Sequence, residues 1–259
     1  MKNKKILLAN SLLVLALLLF ILVPNIANKL LGLNGHISGN ISLLLSGSAS
    51  VIALGGIALL YCVITKRKFK RVMVIKEISI KQIYLTMFVA LGTYIFAIGI
   101  NSISMKLFPV AIKDSVQISN LLTGSNTLLG LLVVIILPAF FEEIFFRGIF
   151  LDAYEGLKSK KIKYFILTSI FATFHGNVMQ IIYVMFLGII LLLVREYTGS
   201  IVGSMTLHAA NNAISFIISK VAMNYMNTGI ESSASKIAQQ ANVGFAAVLL
   251  QASIFFLIG

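Results

Sequence analysis

The stretch Phe141-Glu142-Glu143-Ile144-Phe145-Phe146-Arg147 decides how this chain is read. It lies between the apolar run Leu131-Leu132-Val133-Val134-Ile135-Ile136-Leu137 and the patch Gly148-Ile149-Phe150-Leu151. Two carboxylates and a guanidinium therefore sit inside what otherwise reads as a membrane span. A charge there costs on the order of 2.5–3.5 kcal/mol even on the lenient insertion scale, so such residues pair, face a bundle interior, or carry function. Helix geometry separates the two glutamates. Glu143 and Arg147 are four apart, share a face and can form an ion pair. Glu142 is rotated by about 100° from Glu143 and needs a partner from another part of the chain.

Working outward, composition sets the class. Apolar residues make up 59% of the 259 residues and charged residues 11%. That balance excludes an ordinary soluble domain and predicts an all-α, polytopic transmembrane bundle. The net charge of +13 could point to nucleic acid. The basic residues cluster between apolar runs, as membrane-flanking loops do, so a lipid bilayer is the expected partner and nucleic acid is not. Cys62 is the single cysteine, which excludes an intrachain disulfide.

Lys2, Lys4 and Lys5 precede an apolar run over 6–23 that is too long for a signal-peptide core and lacks a cleavage site, so it reads as an uncleaved first span. The second span, 41–65, carries Gly47, Ser48, Ala49, Ser50, Gly55 and Gly56, which permit close helix packing. The basic block 66–71 reads as a solvated loop. Further spans are expected at 83–107, at 127–151 with a kink at Pro138, from 164, at 178–194, at 200–218 and from 243. Polar connections are expected at 109–125, 195–199 and 220–242. Of the 21 basic residues, Arg147 is intramembrane, fifteen fall on the side of Lys2, Lys66 and Lys158, and five on the other. That asymmetry predicts about eight spans with both termini cytoplasmic. The chain divides into an N-terminal part (1–126), a core (127–219) and a last loop and helix (220–259).

Histidine is scarce. His36 falls in a loop, whereas His175 and His208 fall in the fifth and seventh expected spans. Counted from the cytoplasmic ends, His175, His208 and Glu142 lie about 16, 13 and 14–16 Å deep at ~1.5 Å per residue. Three polar groups at one depth on three helices can share a cavity. Asn212 is four residues after His208 and on its face, with Asn211 a rival for the same place. At the least these groups form a polar network that fixes packing. Their chemistry allows more. Glu142 with His175 could hold and deprotonate a water, and His208 with Asn212 could donate to the oxyanion formed at a peptide carbonyl. Glu142, His175 and His208 also match a zinc donor set with an open fourth position. The His-Glu-x-x-His motif is absent, so no cofactor is implied.

Glu-Glu-x-x-x-Arg at Glu142 to Arg147, Phe-x-x-x-His at Phe171 to His175 and His-x-x-x-Asn at His208 to Asn212 occur in order on separate apolar helices. This set resembles the CAAX protease and bacteriocin-processing (Abi) family over about residues 127–219. The resemblance implies an eight-helix intramembrane endopeptidase, multi-pass in the cell membrane, with its cavity toward the cytoplasmic leaflet. It assigns water activation to Glu142 and His175, and the oxyanion site to His208 and Asn212. Glu143 and Arg147 complete the site set. Eukaryotic members cleave prenylated tails. This lysine-rich, tryptophan-free chain looks bacterial, so the expected substrate is a small peptide or membrane-protein tail, in bacteriocin self-immunity or peptide maturation. Two rivals remain at this point: a proton-coupled transporter using the same ionisable residues, and a non-catalytic immunity or scaffold protein. The sequence leaves the oligomeric state open.

Overall fold

The computed structural model describes residues 2–33, 38–107, 125–176 and 181–227. Among them every regular element is helical. Helix α1 covers Lys2–Leu30, α2 covers Gly39–Thr65, and α3 is the short Phe69–Met73. Then follow α4 (Ile80–Leu107), α5 (Thr127–Ala153), α6 (Lys160–Phe174), α7 (Ile181–Thr198) and α8 (Ile201–Asn227). Six of these (α1, α2, α4, α5, α7 and α8) contain a stretch long and apolar enough to cross a bilayer. Their outward faces are apolar too: Val63, Phe88 and Leu128 are all more than 70% exposed. Such a surface suits hydrocarbon, and the backbone polar groups are satisfied inside the helices. The chain is a multi-pass membrane protein.

The fifth expected span differs. Helix α6 has 15 residues, which is about 22 Å and short of a ~30 Å hydrocarbon core. It ends at Phe174, with His175 as its C-terminal cap. The expected turn at 195–199 is largely helical, because α7 runs to Thr198 and the chain reverses at Gly199, φ +64°. Helix α8 likewise continues past Lys220 to Asn227. His36, the loop up to residue 124 and the eighth expected span lie outside the described residues.

The glycines of α2 do what small residues do in lipid. A Cβ on Gly47 would stand 3.1 Å from Leu137 and Val133, and one on Gly55 would stand 2.6 Å from Phe141. Helix α2 therefore backs directly onto α5 just beside Glu142. The main core joins α1, α2, α5, α7 and α8 around Tyr61, Phe145, Ile149, Phe150, Leu191 and Ile201, all essentially inaccessible.

The basic block is solvated as its charge predicts, with Lys66, Lys68, Lys70 and Arg71 exposed, but it is partly helical rather than a loop. Lys66 takes a left-handed conformation (φ 53°) and ends α2; Val74 does the same (φ 51°) and ends α3. The following residues dock on the start of α8. Ser200 Oγ donates to the Lys76 carbonyl (2.6 Å) and accepts from the Lys76 N–H (3.0 Å). The Ile201 N–H donates to the Val74 carbonyl (3.3 Å). The block is thus a strap across the basic end of the bundle.

Asp152, at the end of α5, ties three helices there. Its carboxylate accepts from Tyr61 Oη (2.8 Å) and from Arg67, and Lys5 Nζ lies 3.5 Å away. Its side chain is 6% exposed. Asp152→Ala leaves a buried hydroxyl and a half-buried guanidinium without their acceptor, at a cost of about 2 kcal/mol. The expected result is a lower midpoint in a thermal unfolding scan in detergent. An unchanged midpoint would remove this network from the account of stability.

Candidate active site

Helix α5 presents both glutamates, and its path follows from its sequence. Pro138 has no N–H to give the carbonyl four residues earlier, which belongs to Val134. Instead of breaking, the helix widens to π-type turns over Leu131–Ile136, returns to α-helix over Leu137–Glu143, and widens again over Ile144–Phe150. Such wide turns recur at functional sites. The Val134 carbonyl is satisfied from outside, by Asn212 Nδ2 of α8 at 3.1 Å. The carbonyl that Pro138 leaves unserved thus becomes a side-chain bond between α5 and α8. Asn212→Ala should cost about 1–3 kcal/mol through the unpaired carbonyl. Pro138→Ala restores a local donor, so the same change in that background should cost clearly less. Equal costs in a thermal double-mutant cycle would break this link.

Glu143 and Arg147 form the ion pair that their spacing predicts, with Arg147 Nη1 3.0 Å from Glu143 Oε1. Both side chains are buried, at 0% and 2% exposure. Arg147 Nη2 also donates to the Gly188 carbonyl of α7 (3.2 Å). Its guanidinium carbon lies 4.2 Å from the centre of the Phe171 ring of α6, a cation–π contact. One cation thus fastens α5 to α6 and α7. Glu143 has a second partner: its Oε1 is 3.0 Å from His208 Nδ1 of α8.

Glu142 faces the two histidines. Its Oε2 lies 3.8 Å from His175 Nε2 and 4.0 Å from His208 Nε2. The glutamate side chain is 16% exposed and the imidazoles 4% and 1%, so Glu142 is the open edge of a closed group. These separations exceed a hydrogen bond and suit one bridging water. Glu142 Oε2 and His175 Nε2 are buried without a hydrogen-bond partner among the described residues.

The far nitrogens fix the rings. His175 Nδ1 is 2.7 Å from the Phe171 carbonyl, which the end of α6 leaves available. A carbonyl only accepts, so Nδ1 carries the proton and, in the neutral ring, Nε2 turns a lone pair toward Glu142. His208 Nδ1 donates to Glu143, which leaves its Nε2 on the Glu142 side. An acceptor-rich pocket of this kind takes a donor such as water. Among the described residues no group of three His, Cys, Asp or Glu side chains is placed to hold a metal ion.

The structure thus brings Glu142, Glu143, Arg147, His175 and His208 together. Asn212 is buried one turn from His208 and bonded to Val134. Its rival Asn211 donates to the Leu207 carbonyl of its own helix (3.1 Å). Two contacts of Arg147 do not follow from the sequence: the ring of Phe171, known there only as a motif position, and the Gly188 carbonyl. Phe171 was in reach, since it sits one turn before His175 on the same face. The Gly188 carbonyl leaves no trace in side-chain chemistry, though a Cβ at Gly188 would stand 3.2 Å from Phe171 and Thr168.

Comparison with curated proteins and with solved structures gives no match. The family comparison does: residues 124–214 match the family described as type II CAAX prenyl endopeptidase Rce1-like. That segment contains every residue of the pocket just described. Over that segment, about a third of the chain, the protein is similar to a family of membrane endopeptidases.

Proposed function

We propose that the protein hydrolyses a peptide bond with a water held between Glu142 and His175. Glu142 takes a proton from the water as it attacks the carbonyl carbon. The tetrahedral oxyanion is stabilised by His208, protonated on Nε2 with Glu143 compensating its charge, and by the second N–H of Asn212. Glu142 then returns the proton to the leaving amine, so the two products carry the elements of one water. The observation that carries this reading is the convergence of Glu142 Oε2 on two imidazole nitrogens at 3.8 and 4.0 Å. Residues 127–219 are the catalytic core in this reading, between N-terminal helices (1–126) and a last loop and helix (220–259). Eight passes put both termini in the cytoplasm, in the cell membrane, with the pocket toward the inner leaflet. The substrate is a small peptide or membrane-protein tail, and self-immunity to a bacteriocin or peptide maturation is the context. The prenyl group in the family's description is not carried over.

Terminal proteomics on membrane fractions tests this. Wild-type protein should generate new peptide termini that disappear with His175→Ala or His208→Ala at equal expression. Identical termini in all three samples would favour the scaffold or transporter readings. The mechanism routes no step through a metal, so cleavage should survive dialysis against a strong zinc chelator within about twofold. A loss restored by added zinc would assign the pocket to the Glu142, His175 and His208 donor set instead.

A further inference from the structure

A second cavity, of about 450 Å3, opens at the basic end of the bundle between the strap, α5, α6 and α7. Arg147 and Gly148 belong to its wall, so a single guanidinium separates it from the glutamate pair. Two of its acids already have cations: Asp152 has Lys5 and Arg67, and Glu196 has Lys160 at 2.5 Å. Arg71 and Lys163 remain against Glu155, with Arg195, whose charge Glu143 shares with Arg147. Arg195 is the informative one. It is 7% exposed and donates through Nη2 to the Met73 carbonyl (3.3 Å), yet its buried Nε has no partner among the described residues. A buried guanidinium with a spare N–H calls for an anionic acceptor.

We propose that this cavity binds the phosphate of an anionic phospholipid headgroup. A phosphate oxygen meets the part of the Arg195 guanidinium that lines the cavity, while Arg71 and Lys163 close on it from the rim. The collar favours a lipid as the source. Val63 and Ile64 precede Arg67, Ile162 and Phe165 flank Lys163 and Tyr164, and all four are more than 50% exposed. Basic residues over such an apolar skirt match a headgroup with its acyl chains at the bilayer interface. The proposal is independent of whether the neighbouring pocket hydrolyses peptides.

The test is calorimetric titration of the full chain, in a neutral detergent, with dioctanoyl phosphatidylglycerol, dioctanoyl phosphatidylcholine and inorganic phosphate. Phosphatidylglycerol should bind saturably, and at least tenfold more tightly than either other probe. Arg71→Gln with Lys163→Gln should weaken it by about 20-fold, at roughly a few-fold per basic side chain. Lys68→Gln with Lys70→Gln removes the same charge outside the cavity and should change it by less than about twofold. Arg195→Gln tests the buried contact, and the rim pair keeps the test decisive if that variant does not fold. Equal weakening by both pairs would reduce the effect to general surface charge and overturn the site. Equal affinity for phosphatidylcholine would overturn it as well, and equal affinity for inorganic phosphate would overturn the lipid assignment.

Discussion

Replacing Glu142 with Gln is expected to slow peptide-bond hydrolysis by about 10²–10⁴-fold, the usual contribution of a positioned general base, while leaving the fold intact. The amide keeps the size and the hydrogen-bonding edge of the carboxylate but cannot take a proton from water. Glu142 is not part of the ion pair that fastens the helices, since Arg147 bonds to Glu143 and the Gly188 carbonyl. Removing its charge therefore deletes chemistry rather than packing. The check is a steady-state assay on a peptide identified from the new termini, with thermal midpoints of both proteins measured alongside. A rate loss accompanied by a collapse in midpoint would make Glu142 a structural residue. An unchanged rate would remove it from the mechanism.

Arg147→Met should act in the opposite order, on stability first. Losing one partner of a buried ion pair costs about 3–5 kcal/mol, because the other charge stays buried and uncompensated. Here the stranded group is Glu143, fully buried and left with His208 Nδ1 and the Ser204 side chain beside it. The Gly188 carbonyl and the Phe171 ring lose their cation in the same change. The expected result is a large drop in thermal midpoint and poor recovery of folded protein. Adding Glu143→Leu to Arg147→Met removes the stranded charge, and much of the midpoint should return. Activity should not return with it, because His208 has then lost the carboxylate that sets its ring. Recovery of both would mean that Glu143 serves packing alone.

These contrasts explain which parts of the site could be read from the sequence. The Glu143–Arg147 pair was legible because helical spacing alone creates it. The grouping of Glu142 with His175 and His208 was legible because charged and imidazole groups are so costly in a span that few places can hold them. The role of Asn212 was only half legible. Its place beside His208 follows from spacing, but its bond to Val134 depends on a carbonyl that Pro138 leaves unserved on another helix. Phe171 and the Gly188 carbonyl act through a ring face and a main-chain oxygen, to which hydropathy is blind. The strap over 66–76 was legible in its solvated charges, which are exposed, and not in its docking, for a related reason. Six basic or aromatic residues in a row look solvated, whereas the contacts that dock the strap are backbone bonds to Ser200 and Ile201. Helix α6 was expected to span because its residues are apolar enough. Its end at Phe174 falls just before Gly176, which adopts φ +66°, and that stop sets His175 beside Glu142.

The central claim is that Glu142 and His175 act on one water. A kinetic double-mutant cycle with Glu142→Gln, His175→Ala and both together measures it most directly. Residues that work as a unit lose their effect together, so the double variant should be no more than about threefold slower than the slower single variant. A double variant whose loss equals the product of the two single losses would place the two side chains in separate roles and contradict the account.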